Sequence, residues 1–164
     1  MKKLQAVFPI IIFIFFALDA NFLTAQSNKQ QKENKKQLAV EQLINARHFT
    51  FIPITVMPSR GASKPLTSEY QLKIKKDTLD AYLPYFGRSY NASITLTENP
   101  LDFKTTDFTC TITESKKGGW DIILVPKNAG DARQLMLSVS RDGYASLQII
   151  CNSRDPISFN GYIQ

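Results

Sequence analysis

Histidine is nearly missing from these 164 residues, and the single copy, His48, narrows the chemistry the chain can carry. A hydrolase triad needs a histidine or another base beside an activated nucleophile. His48 falls where a helical segment meets the first strand, a place that packing or simple exposure explains. Cysteine is almost as scarce, with Cys110 and Cys151 alone, and two thiols plus one distant histidine make no zinc spacing. Glycine is sparse as well, at seven. The Gly118-Gly119 pair lacks the following helix that a phosphate loop requires. No cofactor is expected.

A concentrated charge of one sign is also lacking in the body of the chain. The formal charge is +6, but from His48 onward thirteen basic residues stand against eleven acidic ones. The excess sits near the start, in Lys29, Lys32, Lys35, Lys36 and Arg47. A near-neutral body offers no basic face for a phosphate backbone, so nucleic acid is not an expected partner.

Long apolar runs are absent except at the beginning. Lys2 and Lys3 precede thirteen largely apolar residues, Ala6 to Leu18, and Leu23-Thr24-Ala25 supplies a small-residue exit. That order is a secretory signal, and residues 1–25 are read as a signal peptide cleaved after Ala25, with Ala20 as the second choice. The run is well short of the roughly 20 residues a spanning helix needs. No cysteine follows it to accept a lipid. The expected product is periplasmic or secreted, with no stable membrane span after signal cleavage.

Residues 26–37 are polar throughout and read as a tether or a frayed helix start. Residues 38–164 read as a single β-rich domain. Leu38, Leu43 and Ile44 give partial helical spacing, predicting a helix over about 30–47. Phe49 to Met57 reads as a strand in which Pro53, unable to donate to a ladder, demands an edge position or a bulge. Pro58 to Pro65, with Gly61 and several small polar residues, reads as a loop, and Tyr70 to Lys75 alternates apolar and polar residues. Asp77-Thr78-Leu79-Asp80 reads as a turn, with Asp77 capping it. Strands are further predicted at Ser93–Thr97, Leu101–Phe103, Phe108–Thr113, Trp120–Val125, Leu135–Ser140, Tyr144–Ile150 and Ile157–Ile163, with hairpin turns at Ser115–Gly119 and at Arg141-Asp142-Gly143. About eight strands after one N-terminal helix predict a mainly β fold, an antiparallel β-sandwich or a curved, barrel-like sheet.

Cys110 and Cys151 each fall on the apolar face of a strand. In an oxidising compartment they would either pair as a disulfide or remain two separate buried thiols acting as small hydrophobes. Asn91-Ala92-Ser93 matches a glycosylation acceptor in form only.

One stretch breaks the succession of strands. Tyr82 to Tyr90 holds four aromatics, Pro84 and Gly87 in nine residues, too apolar for a solvated loop and too interrupted for a regular element. It is read as a corner sealing the two parts of the core. Tyr85, Phe86, Arg88 and Arg154 are the candidate binding surface, because aromatics and cations gather there beyond what a turn needs. Arg154 has a structural alternative, tying the last turn to the corner through backbone carbonyls.

Several blocks carry a resemblance: Thr67 to Leu72, Asp77-Thr78 before Leu83 to Arg88, Gly118-Gly119-Trp120, Gly143 to Leu147, and Asn152 to Ile163. In this order they resemble the domain-of-unknown-function 4251 family of small exported bacterial proteins. The resemblance implies an exported single domain with no assigned activity, cofactor or catalytic residue. The expected function is therefore that of a non-enzymatic periplasmic binding or scaffolding domain, contacting an envelope protein or a small ligand. The alternative is a glycan- or peptidoglycan-acting hydrolase using two carboxylates. A third reading makes the basic helix itself the contact to an envelope assembly.

Overall fold

Alternation is what builds this molecule. In β9 (Tyr144–Cys151), Ala145, Leu147, Ile149 and Cys151 turn inward while Tyr144, Ser146 and Gln148 turn out. In β10 (Ile157–Ile163), Ile157, Phe159, Gly161 and Ile163 do the same against Asn160 and Tyr162. Such a period of two leaves each strand one dry face, and only sheet formation can bury it. The computed structural model describes residues 30–88, 90, 99–116 and 118–164. The leader expected over residues 1–25, the strand expected at 93–97 and the acceptor-like Asn91 lie outside them.

The described residues form a helix, α1, over 30–46, followed by ten strands. The strands are β1 (Phe49–Pro58), β2 (Lys64–Pro65), β3 (Gln71–Ile74), β4 (Leu79–Tyr82), β5 (Asp102–Thr105), β6 (Phe108–Glu114), β7 (Trp120–Pro126), β8 (Ala132–Val139), β9 and β10. All pair antiparallel in one sheet of order β5-β4-β3-β1-β10-β9-β8-β7-β6, with β2 beside β1. The two strands at the ends of that order, β5 and β6, are joined by only Thr106 and Asp107. Thr105 Oγ1 donates to the Lys127 carbonyl at 3.1 Å and Lys127 N to the Asp107 carbonyl at 2.8 Å. A link so short draws the edges together, and the sheet curls into a nearly closed barrel. Of the two expected forms, the curved barrel-like sheet is the one observed.

Inside lie Phe51, Leu72, Leu124, Leu137, Leu147 and Phe159, each essentially inaccessible. Each such side chain contributes about 1.5–3 kcal/mol when fully buried. By contacts the chain divides after Lys36. Within the second unit, from Gln37 on, α1 seats Val40 and Ile44 in the same core. The second half of the helix is therefore part of the barrel's packing. His48, beyond the helix, is exposed.

Pro53 carries a bulge. The β1–β10 register slips between Pro53 and Thr55, and Ile54 is pushed out to solvent. Pro53 faces Gly161, where any side chain would collide with the Ile52 carbonyl oxygen. The bare backbone of Gly161 is what lets the strands close at that point. Two expectations shift. Asp77-Thr78-Leu79-Asp80 is only half a turn, since β4 begins at Leu79 and the reversal is closed earlier by Lys75 N donating to the Thr78 carbonyl at 2.9 Å. The loop expected from Pro58 to Pro65 holds β2, whose two residues pair with Val56 and Thr55.

Cys110 and Cys151 are both free thiols, the second of the two readings left open by the sequence. In the sheet β7 and β8 stand between β6 and β9, so the path along the sheet is about 14 Å at roughly 4.8 Å per strand. A disulfide joins Cα atoms about 4.4–6.8 Å apart. Both thiols face apolar surroundings, where burial pushes their pKa up, to about 11 for Cys151.

Candidate functional site

Four connections meet at one place: the β1–β2 loop, the segment after β4, the β7–β8 loop and the β9–β10 turn. Their backbones are tied by polar side chains. Asp131 Oδ1 accepts from Ser153 N at 3.0 Å and from Ser153 Oγ at 2.7 Å, while the Asp131 carbonyl accepts from Asn152 N at 2.9 Å. Arg154 Nε stands 3.5 Å from Asp131 Oδ2, both side chains largely buried, and its guanidinium lies 5.4 Å from the centre of the Tyr85 ring. The Tyr85 hydroxyl donates to the Asp155 carbonyl at 2.9 Å, with the Arg88 carbonyl a second acceptor at 3.1 Å. Asp155 N donates to that Arg88 carbonyl at 3.1 Å. The buried Asp155 carboxylate accepts from the Tyr90 hydroxyl, Tyr90 N donates to the Ser153 carbonyl at 2.9 Å, and Ser59 Oγ donates to the Pro156 carbonyl.

These bonds explain the electrostatics. Burial raises the Tyr85 pKa well above the usual phenol range, helped by Cys151 and Asp155 and opposed by Arg154. Donation to Asp155 is the main reason Tyr90 is held above its ordinary value. Both phenols stay neutral as donors. Gly87 fits because a side chain there would collide with the Tyr85 hydroxyl.

The corner therefore has two faces. Leu83, Pro84 and Leu101 are buried and close the core, as expected of a seal. The aromatics divide: Tyr85 is half-buried, whereas Tyr82 is 44% exposed, Phe86 42% and Tyr90 67%. Tyr82 pairs with Tyr70, ring centres 5.4 Å apart, and Lys64 Nζ sits 5.0 Å over the Phe86 ring. Arg88 is exposed on the same segment.

Of the four residues expected to form a surface, Phe86 and Arg88 are on it. Tyr85 and Arg154 lie beneath it and hold the backbone. Arg154 does not act through backbone carbonyls: its partners are the Asp131 carboxylate and the Tyr85 ring, and the carbonyl contacts belong to the Tyr85 hydroxyl. Asp131, Asp155 and Lys64 went unrecognised in the sequence. Only Asp155 carried a signal, its position before Pro156 in a turn-like Asn-Ser-Arg-Asp-Pro run.

No cluster of three or more His, Cys, Asp or Glu side chains arranged to hold a metal occurs among the described residues. No helix among them is long and apolar enough to cross a membrane.

A nearly closed, single-sheet antiparallel β-domain with an N-terminal helix and an aromatic loop cluster is the class these features define. Residues 30–163 match the family described as Domain of unknown function (DUF4251), and the chain belongs to that family. The fold is similar to the crystal structure of a DUF4251 family protein from Bacteroides eggerthii DSM 20697, at 15% identity over 78% of this chain and 86% of that one, with a TM-score of 0.55. None of the curated proteins matches this chain.

Proposed function

We propose that the protein is an exported, non-catalytic binding domain whose loop cluster docks a protein of the cell envelope. The observation that carries this reading is the contrast between surface and support at the corner. Tyr82, Phe86 and Tyr90 present large apolar area to solvent while the backbone beneath them is fixed by Tyr85, Asp131, Arg154 and Asp155. Aromatics on a preorganised backbone lose little entropy on binding, which is why they dominate contact surfaces. Lys64 and Arg88 beside them favour a partner with acidic groups around an apolar patch. Export rests on the leader read over residues 1–25.

The hydrolase alternative draws less support. Asp131 and Asp155 are committed to backbone and side-chain donors that position loops, rather than standing free on either side of a cleft.

Site-specific photocrosslinking in cells tests the reading. A benzophenone amino acid at position 86 or 82 should capture a discrete protein that the same group at Val125, exposed on β7, does not. Equal or absent capture at all three positions would remove the proposal.

A further inference from the structure

A second surface, on the outside of the sheet and apart from the loop cluster, carries its own chemistry. Across four neighbouring strands the register aligns Asp121, Ser138, Ser146 and Asn160 in one row. All four are small polar side chains at outward positions, and the row opens into a hollow of about 420 Å³. That volume falls within the range of small-molecule sites. Asp121 Oδ1 accepts from Ser138 Oγ at 2.7 Å, which fixes both ends of that pair. Ser140 also lines the hollow. Next along the same outer face, Tyr144 lines the hollow and stands directly across from Tyr162 on β10. They are 65% and 37% exposed.

We infer that this row is a binding site for a neutral, polyhydroxylated ligand, a sugar ring in its simplest form. Vicinal hydroxyls both donate and accept, and the row offers matching capacity in hydroxyls, an amide and one carboxylate. The Tyr144 ring supplies a flat apolar wall for the C–H face of a pyranose. A phosphate or other anion fits poorly, since among the described residues no lysine or arginine lines the hollow and Asp121 does. A polycation fits no better, because Asp121 is the only acid among the described residues of the lining and the Arg141 side chain passes beside Gly118 at the rim. The outer face of a sheet ordinarily carries long or charged side chains in contact with water. Here the outward side chains of Ser138, Ser146 and Asn160 are short and leave a depression that the fold itself does not require.

The test is titration of the isotope-labelled full chain with D-glucose, D-galactose, N-acetyl-D-glucosamine and cellobiose, followed by amide chemical shifts. At least one sugar should produce saturable shifts confined to Asp121, Ser138, Ser146, Asn160 and their neighbours, with Kd on the order of 1 mM. Tyr144→Ala, at a mostly exposed position, and Ser138→Val, which removes a hydroxyl from the row, should each weaken binding at least about tenfold. Phe86→Ala should leave it unchanged, separating this site from the loop cluster. Unperturbed shifts elsewhere in each variant's spectrum show that it is folded. Absence of saturable shifts with all four sugars overturns the proposal, as does binding that Tyr144→Ala leaves intact. Equal shifts with lysine or inorganic phosphate overturn the assignment to neutral ligands.

Discussion

Tyr85 and its neighbours show how single residues divide the labour of the corner. The Tyr85 hydroxyl is the only side-chain donor described for the Asp155 carbonyl, and removing a buried donor exposes the full cost of an unpaired acceptor. Tyr85→Phe should therefore lower the unfolding free energy by about 1–2 kcal/mol, read from urea unfolding at constant slope. Phe86→Ala, at a half-exposed ring, should move it by no more than roughly 0.5–1 kcal/mol. Cys151 adds a pH dependence. Its thiol pKa is raised from 9.0 to about 11 by burial, so the folded state holds the proton more tightly than the unfolded chain does. The resulting stabilisation is complete below pH 9 and is lost as pH rises towards 11, with Tyr85 extending the loss beyond pH 10. Unfolding midpoints should stay level up to about pH 9 and then fall. Cys151→Ala should flatten the first part of that fall, and an unchanged profile would place the titration elsewhere.

At the scale of elements, α1 and β1 repay comparison. The helix was legible from Leu38, Leu43 and Ile44, but not its attachment, because those residues have only partial helical spacing. Ile44 is fully buried and Leu43 partly so, Val40 joins them in the core, and Leu38 alone of the three is exposed. Ile44→Ala leaves a cavity in a fully buried site and should cost about 2–5 kcal/mol, whereas Leu38→Ala should cost little. Both are measured by chemical unfolding. If the two variants matched, α1 would be packed against the barrel in another way than described. In β1 the proline alone dictates an irregularity, since it has no N–H to give to a ladder. The place where the chain accommodates it, Gly161 on β10, lies far along the sequence and has no local signal. The short β4 was missed for a related reason: Leu79-Asp80-Ala81-Tyr82 has a four-residue pattern that resembles a turn until β3 and β5 flank it.

For the molecule as a whole, the leader separates two accounts of where it works. Purified from the cells that make it, the protein should have the mass of residues 26–164, and an intact leader on the accumulated form would remove the basis for export. The β-domain presents two surfaces of different character, the aromatic and basic loop cluster and the small-residue hollow on β7 to β10. They share no residue, so the two proposed contacts can be tested, and fail, independently.

The sequence by itself determined the fold class, most of the strands, the hairpins at Ser115–Gly119 and Arg141–Gly143, the irregularity at Pro53 and the special standing of the Tyr82 to Tyr90 stretch. Each of these is written in local alternation, in turn residues or in a backbone constraint, and needs no knowledge of distant neighbours. Tertiary structure alone decided that β5 and β6 curl to one seam, that Cys110 and Cys151 stay apart, that Tyr85 and Arg154 support a surface on which Phe86 and Arg88 stand, and that Asp121, Ser138, Ser146 and Asn160 share a row. Those outcomes depend on pairing register and on loops meeting from four parts of the chain, and no short stretch of sequence encodes either.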